Sequence, residues 1–288
     1  MVLPPLHCLD FNPGSLLSFL EQSAHNSHRF DWENRLKNGL VVDDHGLALP
    51  ISAPYIVGQR IHYWRDAGME QRIPFDEQII YQDDHILVAD KPHFLPVTPT
   101  GGYVQETLLV RLKKRTGLAD LTPMHRIDRD TAGLVMFCIR VEDRDAYAAM
   151  FRTRQLKKTY ECIAPYAPDV SLPQTRKTRL EGSPDSFMQM IEVAGQPNTE
   201  TLIELMEKHG KFARYRLQPI TGKRHQLRVH MNALGLPIRG DGIYPTLTPE
   251  TQAPDYSAPL LLLAQSLSFH DPVAMEHRSF HSRQNLSF

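Results

Sequence analysis

The chain has 288 residues, of which 41% are hydrophobic, and a formal net charge of −1, with a pI near 6.9. That length suits one large domain, or a large and a small one with a real core. The balanced charge argues against a protein that coats nucleic acid indiscriminately but leaves room for a local basic face. Three widely spaced cysteines (Cys8, Cys138, Cys162) form no Cys-x-x-Cys pair and point away from disulfides and a thiolate zinc site. With no basic-then-apolar leader and no apolar run of roughly eighteen residues, a cytoplasmic, soluble protein with no membrane partner is expected, and a monomer is the default where the sequence does not read out oligomeric state.

In chain order, Leu16, Leu17, Phe19 and Leu20 fit a helix, and Trp32 to Leu36 fits a second. Gly39-Leu40-Val41-Val42 starts short strands, and 53–64 alternates toward a final one. This pattern resembles the alpha-L RNA-binding domain, which implies a small N-terminal α/β domain over 1–72 ahead of a catalytic domain over 73–288. Arg29, Arg35, Lys37, Arg60 and Arg65 are its scattered positives; the alternative is a purely structural cap. After a charged linker containing Pro74, strands are expected at Ile79 to Tyr81, Ile86 to Ala89, Gly133 to Ile139, Thr159 to Ala164, Phe187 to Val193, Thr199 to Met206, Phe212 to Ile220 and Leu260 to Phe269. Helical patterns at 104–116, 143–153 and 224–234 are too few to separate these strands. An α+β fold follows, with a mixed, mostly antiparallel central sheet and flanking helices and loops. Pro245 to Pro259 reads as a polar surface loop near the site.

His125-Arg126-Ile127-Asp128-Arg129-Asp130-Thr131-Ala132-Gly133 crowds two carboxylates, two guanidiniums and an imidazole at the mouth of the apolar run Leu134 to Ile139. Flanking arginines would hold an aspartate ionised and oriented as nucleophile or general base, and the glycine suits a tight turn into the core. A surface turn laced with ion pairs is the bland alternative. In Thr221-Gly222-Lys223-Arg224-His225-Gln226-Leu227-Arg228-Val229-His230, a helix beginning near Lys223 would put Arg224 and Arg228 on one face, ready for a carboxylate or a phosphate. Arg111 to Arg115 and Arg152 to Lys158 are locally basic, either phosphate-tracking or merely solvated, and Tyr160 is either core or a stacking surface. Phosphate-binding glycine loops, dinucleotide fingerprints, nucleophile elbows and helical zinc pairs are missing. A haloacid-dehalogenase reading of Asp128-x-Asp130 has the wrong polarity, because here the apolar strand follows the aspartate instead of preceding it.

Together these motifs resemble the RluA family of RNA pseudouridine synthases. Its His-Arg-Leu-Asp is matched by His125 to Asp128, with Thr131 and Gly133 in register, and its Lys-x-Tyr by Lys158 to Tyr160. Thr221 to His230 and Gly235 to Tyr244 match its two later patterns, whereas Asp90-Lys91-Pro92-His93-Phe94 departs from its Asn-Lys-Pro-x-Gly. The resemblance implies isomerisation of a uridine in ribosomal or transfer RNA: the base is flipped out, its bond to nitrogen is cut, and it is rejoined through carbon 5. It makes Asp128 the essential carboxylate, Arg228 its partner, and Tyr160 a stacking residue that helps remove the carbon 5 proton. Arg126 would fill the gap in the RNA, supported by His125. Thr131, Lys158, Arg224, His225, Gln226 and His230 complete the expected RNA contacts. No redox, transfer or hydrolytic step is implied, hence no cofactor and no metal. The competing reading is a noncatalytic RNA-binding or ribosome-assembly factor on the same fold.

Overall fold

A computed structural model describes residues 6–7, 14–22, 31–63, 70–248 and 255–288. The chain divides into two units, Met1–Met69 and Glu70–Phe288. In the first, β1 (Leu6–His7), α1 (Leu16–Gln22), α2 (Trp32–Lys37), β2 (Val41–Val42) and β3 (Arg60–Tyr63) form two helices and a sheet of order β1-β3-β2. Leu16, Leu20, Trp32, Leu36, Val41 and Ile61 bury the apolar faces together, and Asp31 caps α2 by accepting from the Asn34 amide at 2.9 Å. Two of the expected RNA-facing cations are paired with acids, Lys37 with Glu33 and Arg60 with Asp44. Arg29, Arg65 and Cys8 lie outside the described residues.

The second unit contains β4 (Gln78–Gln82), β5 (Ile86–Lys91), α3 (Leu108–Thr116), β6 (Thr122–Pro123), β7 (Ala132–Cys138), α4 (Arg144–Arg152), β8 (Leu156–Pro165), β9 (Gln174–Gly182), β10 (Met190–Val193), β11 (Thr199–His209), β12 (Phe212–Pro219), α5 (Gln226–Ala233), β13 (Leu262–His270) and β14 (His277–His281). One sheet runs β10-β9-β11-β12-β8-β13-β7-β5-β4, with β14 beside β13 and β6 beside β7. Its pairings are antiparallel except β13 with β7, the mixed sheet expected from the scarcity of helices. All seven residues of β7 are buried, which is why its sequence reads as an unbroken apolar run. Gly133 sits at φ +109° where β7 meets β13, and a Cβ there would lie 2.3 Å from the Ala264 carbonyl oxygen. Only glycine fits this crossing.

Several expected bounds move for local reasons. The helix expected from 104 starts at Leu108, because the Glu70 carboxylate takes the amides of Val104, Gln105 and Glu106. The helix expected from 224 starts at Gln226, because His225 adopts a left-handed φ of 56°. Arg224 therefore precedes the helix and does not share a face with Arg228. The strand expected from Phe187 begins at Met190, where pairing with Gly182 of β9 begins. The strongly charged β9 and the short β14 carry too little apolar alternation to be foreseen. Cys138 and Cys162 are buried free thiols. Part of the expected 245–259 loop, residues 249–254, lies outside the described residues. No helix among the described residues is long and apolar enough to cross a membrane.

Candidate active site

The turn that enters β7 and the turn that enters α5 face each other across a cavity of about 780 Å³. Asp128 sits in the first, where the Thr131 amide donates to its carbonyl at 3.2 Å. Two further anchors fix this turn from below. Lys91, fully buried, donates from Nζ to the Arg129 carbonyl at 2.8 Å and to the Pro92 carbonyl at 2.9 Å. Nδ1 of His93 donates to the Asp130 carbonyl at 2.8 Å. Burial pushes the Lys91 ammonium down to about 7, although the carboxylates of Asp130 and Asp128 favour its charged form. Asp90, also buried, is held by the Ser282 hydroxyl and the Arg283 amide, which ties the start of this anchor to the chain's last residues.

Arg228 reaches in from α5. Its Nη1 donates to Asp128 Oδ2 at 3.2 Å, while Nε and Nη2 form a two-pronged pair with Asp241 at 2.8 and 2.6 Å. Arg228 and Asp241 expose only 2% and 1% of their side chains, whereas Asp128 exposes 28%. Desolvation lowers the pKa of the guanidinium, but two carboxylates outweigh it and the pKa rises. Asp241 is itself fixed by the amides of Ile243 and Tyr244. The result is a buried carboxylate that aims an arginine, and an arginine that aims a half-open carboxylate. His225 Nε2 lies 4.0 Å from Asp128, and its Nδ1 shares a hydrogen bond with the Tyr244 hydroxyl at 3.1 Å. Burial lowers its pKa, opposed by Asp128.

Tyr160, on β8, lines the same cavity. Burial, reinforced by the Asp128 charge, pushes its phenol well above the ordinary value, so it stays protonated at neutral pH. His125 lines the wall beyond. Its Nε2 accepts the Met136 amide at 3.1 Å and its ring stacks on Phe151 with centroids 5.0 Å apart. Burial and the nearby Lys158 hold its pKa at about 3, so the ring is neutral with its proton on Nδ1. Burial also lowers the pKa of Lys158.

The structure brings Asp128, Tyr160, Arg228, His125, Arg126, Thr131, Lys158, Arg224, His225 and Gln226 to the cavity. Gln226 does so as a brace: its Oε1 accepts from the Thr221 hydroxyl and the Lys223 amide, and its Nε2 donates to Glu200 and Thr201 of β11. His230 is not brought to the cavity. Fully buried, it hydrogen-bonds the hydroxyls of Thr178, Thr199 and Thr201, because the next turn of α5 faces the sheet instead of the pocket. Two arginines of the basic run in α3 are also consumed elsewhere, Arg111 on Glu106 and Glu77 and Arg115 on Glu77. Arg129 pairs with Asp130, so Asp128 takes its counter-charge from Arg228 and not from its sequence neighbour. Asp241 was missed as a site residue, although Gly240-Asp241-x-x-Tyr244 lay within a matched motif; so was Lys91, although it stands in the segment set against the family's Asn-Lys-Pro-x-Gly.

Residues 85–233 match the family model described as RNA pseudouridylate synthase. The dual-specificity RNA pseudouridine synthase RluA of Pasteurella multocida is 35% identical over 211 residues, covering 70% of this chain and 90% of that protein. The uncharacterized RNA pseudouridine synthase slr1592 of Synechocystis is 27% identical over 234 residues, covering 80% and 79%. The solved human RNA pseudouridylate synthase domain containing 4 superposes with a TM-score of 0.55 at 26% identity, over 73% of this chain and 88% of that one. The chain belongs to the RluA family of RNA pseudouridine synthases, isomerases that act on uridine within RNA.

Proposed function

We propose that this enzyme modifies a uridine in ribosomal or transfer RNA, taking the target nucleotide out of its stack and into the cavity, with Asp128 as the essential carboxylate. The observation that carries this reading is the array Asp241–Arg228–Asp128. It holds a partly open carboxylate, paired with a buried guanidinium, at one fixed point, as required of a group that acts on a base or a sugar carbon. The N1–C1′ bond breaks, a C5–C1′ bond forms, C5 loses its proton and N1 gains one, so nothing is oxidised, reduced or transferred out. Tyr160 supports the flipped base with its ring; its raised pKa favours that role over proton removal by a phenolate. Arg126, exposed at the rim, suits the space vacated in the RNA, with His125 behind it. The unstacking cost, a few kcal/mol, is offset by stacking and by phosphate contacts.

In this reading the enzyme works as a cytoplasmic monomer without cofactor or metal, and residues 1–72 form an RNA-binding module ahead of the catalytic domain at 73–288. Mass-spectrometric mapping of pseudouridine in ribosomal and transfer RNA, from cells lacking the protein and from cells given back wild type or Asp128→Asn, tests it. A uridine that loses its modification and regains it only with wild type supports the proposal. Restoration by Asp128→Asn, or no change at any site in either RNA, overturns it.

A further inference from the structure

The hairpin between β9 and β10 turns through Ser183 to Gln189, closed by the Ser183 amide on the Gln189 carbonyl and the Gln189 amide on the Ser186 carbonyl. At its tip Phe187 is 88% exposed, the most exposed large apolar side chain among the described residues, and its neighbour Met188 is 47% exposed. The turn does not require an aromatic, and burial does not explain one. One basic side chain contacts both the Phe187 ring and its backbone. The guanidinium carbon of Arg224 lies 5.5 Å from its centroid, and Arg224 Nη2 donates to the Phe187 carbonyl. Arg224 also lines the active cavity.

The base of the hairpin is fastened to the catalytic array. Gln189 Nε2 donates to the Ile243 carbonyl at 2.8 Å, and the Met190 amide donates to the Tyr244 hydroxyl at 2.7 Å. Ile243 and Tyr244 are the residues whose amides hold Asp241, the aspartate that aims Arg228. Phe187 is therefore a solvent-facing ring beside the cavity, on a hairpin whose base is linked to the catalytic array by hydrogen bonds and whose tip is contacted by the cavity-lining Arg224. Its cavity side fits RNA better than protein: Arg224, against the ring, and its neighbour Lys223 line the cavity, among the described lining residues Asp128 is the one carboxylate, and on the turn itself only the exposed Asp185 opposes them.

We propose that Phe187 is a stacking platform for an unpaired base of the substrate RNA beside the flipped uridine, with Arg224 bracing the ring from behind. This rests on the RNA-modifying reading of the same cavity. Every base offers a π face, so the platform secures and registers the strand without reading its sequence.

The test uses the full chain with total ribosomal and transfer RNA from cells lacking it, labelled with tritium at uracil C5, and follows tritium release. Phe187→Ala is expected to raise the apparent KM about ten-fold to a hundred-fold with kcat within about two-fold. Its melting temperature should be unchanged, because an exposed side chain is removed. Phe187→Trp is expected to keep the wild-type KM and to show RNA-dependent quenching of tryptophan fluorescence beyond that of the wild type, whose tryptophans are Trp32 and Trp64. An unchanged KM in Phe187→Ala, or no such added quenching in Phe187→Trp, overturns the platform while leaving the enzyme reading intact. So does a Phe187→Ala protein that handles RNA normally but loses a protein bound by wild type. No release by wild type above an Asp128→Asn control counts instead against the enzyme reading itself.

Discussion

At the Asp128 end of the cavity the cation is fully countered: Arg228 is gripped by Asp241 on one side and meets Asp128 on the other. Elsewhere in the cavity lining, Arg126, Arg154, Lys158 and Lys223 have no carboxylate within 4.0 Å among the described residues. The two parts use charge differently. Paired, buried charges hold a geometry that must exist before substrate arrives, and their desolvation is offset within the fold. Unpaired cations at a wet rim are offset only when phosphates arrive and counterions leave. The proposed function puts the chemistry at the first and RNA capture at the second.

The sharpest way to break this contrast is Asp241→Ala, which strips a buried guanidinium of its two-pronged partner. Denaturant unfolding should show a loss of about 3–5 kcal/mol, accompanied by loss of turnover. Unchanged stability would mean that the array is not what organises this end.

His230 offers a second probe, because its side chain projects from α5 onto the threonines of the sheet and away from the cavity. Burial holds its pKa at about 4, so between pH 4 and 6.5 the unfolded chain binds a proton that the folded one does not. Stability should fall as pH drops through that window, by up to about 1.4 kcal/mol per pH unit for this group. His230→Asn should flatten the pH profile by one proton. A change in RNA affinity without that flattening would return His230 to the RNA-binding surface.

The smallest effect is expected among the unpaired cations. Burial lowers the pKa of Lys158, so its charged form costs stability at neutral pH. Lys158→Met should therefore raise the melting temperature slightly while weakening RNA binding. It should also make the slope of log affinity against log salt shallower by about 0.7–0.9, one phosphate contact. A lower melting temperature would make Lys158 a structural residue instead.

The motif His125 to Asp128 was legible because it couples unusual charge to an unbroken apolar run, and β7 was legible because both its faces are covered. Gly133 was legible as a turn residue, but its reason is a backbone 2.3 Å from where a Cβ would stand, contributed by β13 far along the chain. Strand β9 was not legible: its alternating charges look like loop until the ladders to β10 and β11 are in place. His230 looked like its motif neighbours, and only the direction in which α5 faces the sheet separates it from them.

The sequence by itself determined the family and the reaction class and singled out Asp128 as the carboxylate to test, because these depend on which residue types stand at which spacing. Only the tertiary structure decided who faces whom. Arg228 reaches Asp128 across 100 positions and is aimed by Asp241, while Arg129, next door to Asp128, is spent on Asp130. The left-handed backbone at His225 moved Arg224 off the helix and onto the rim beneath Phe187. Spacing along a chain sets periodicity, but a salt bridge is decided by distance and burial, and those exist only after the sheet has closed.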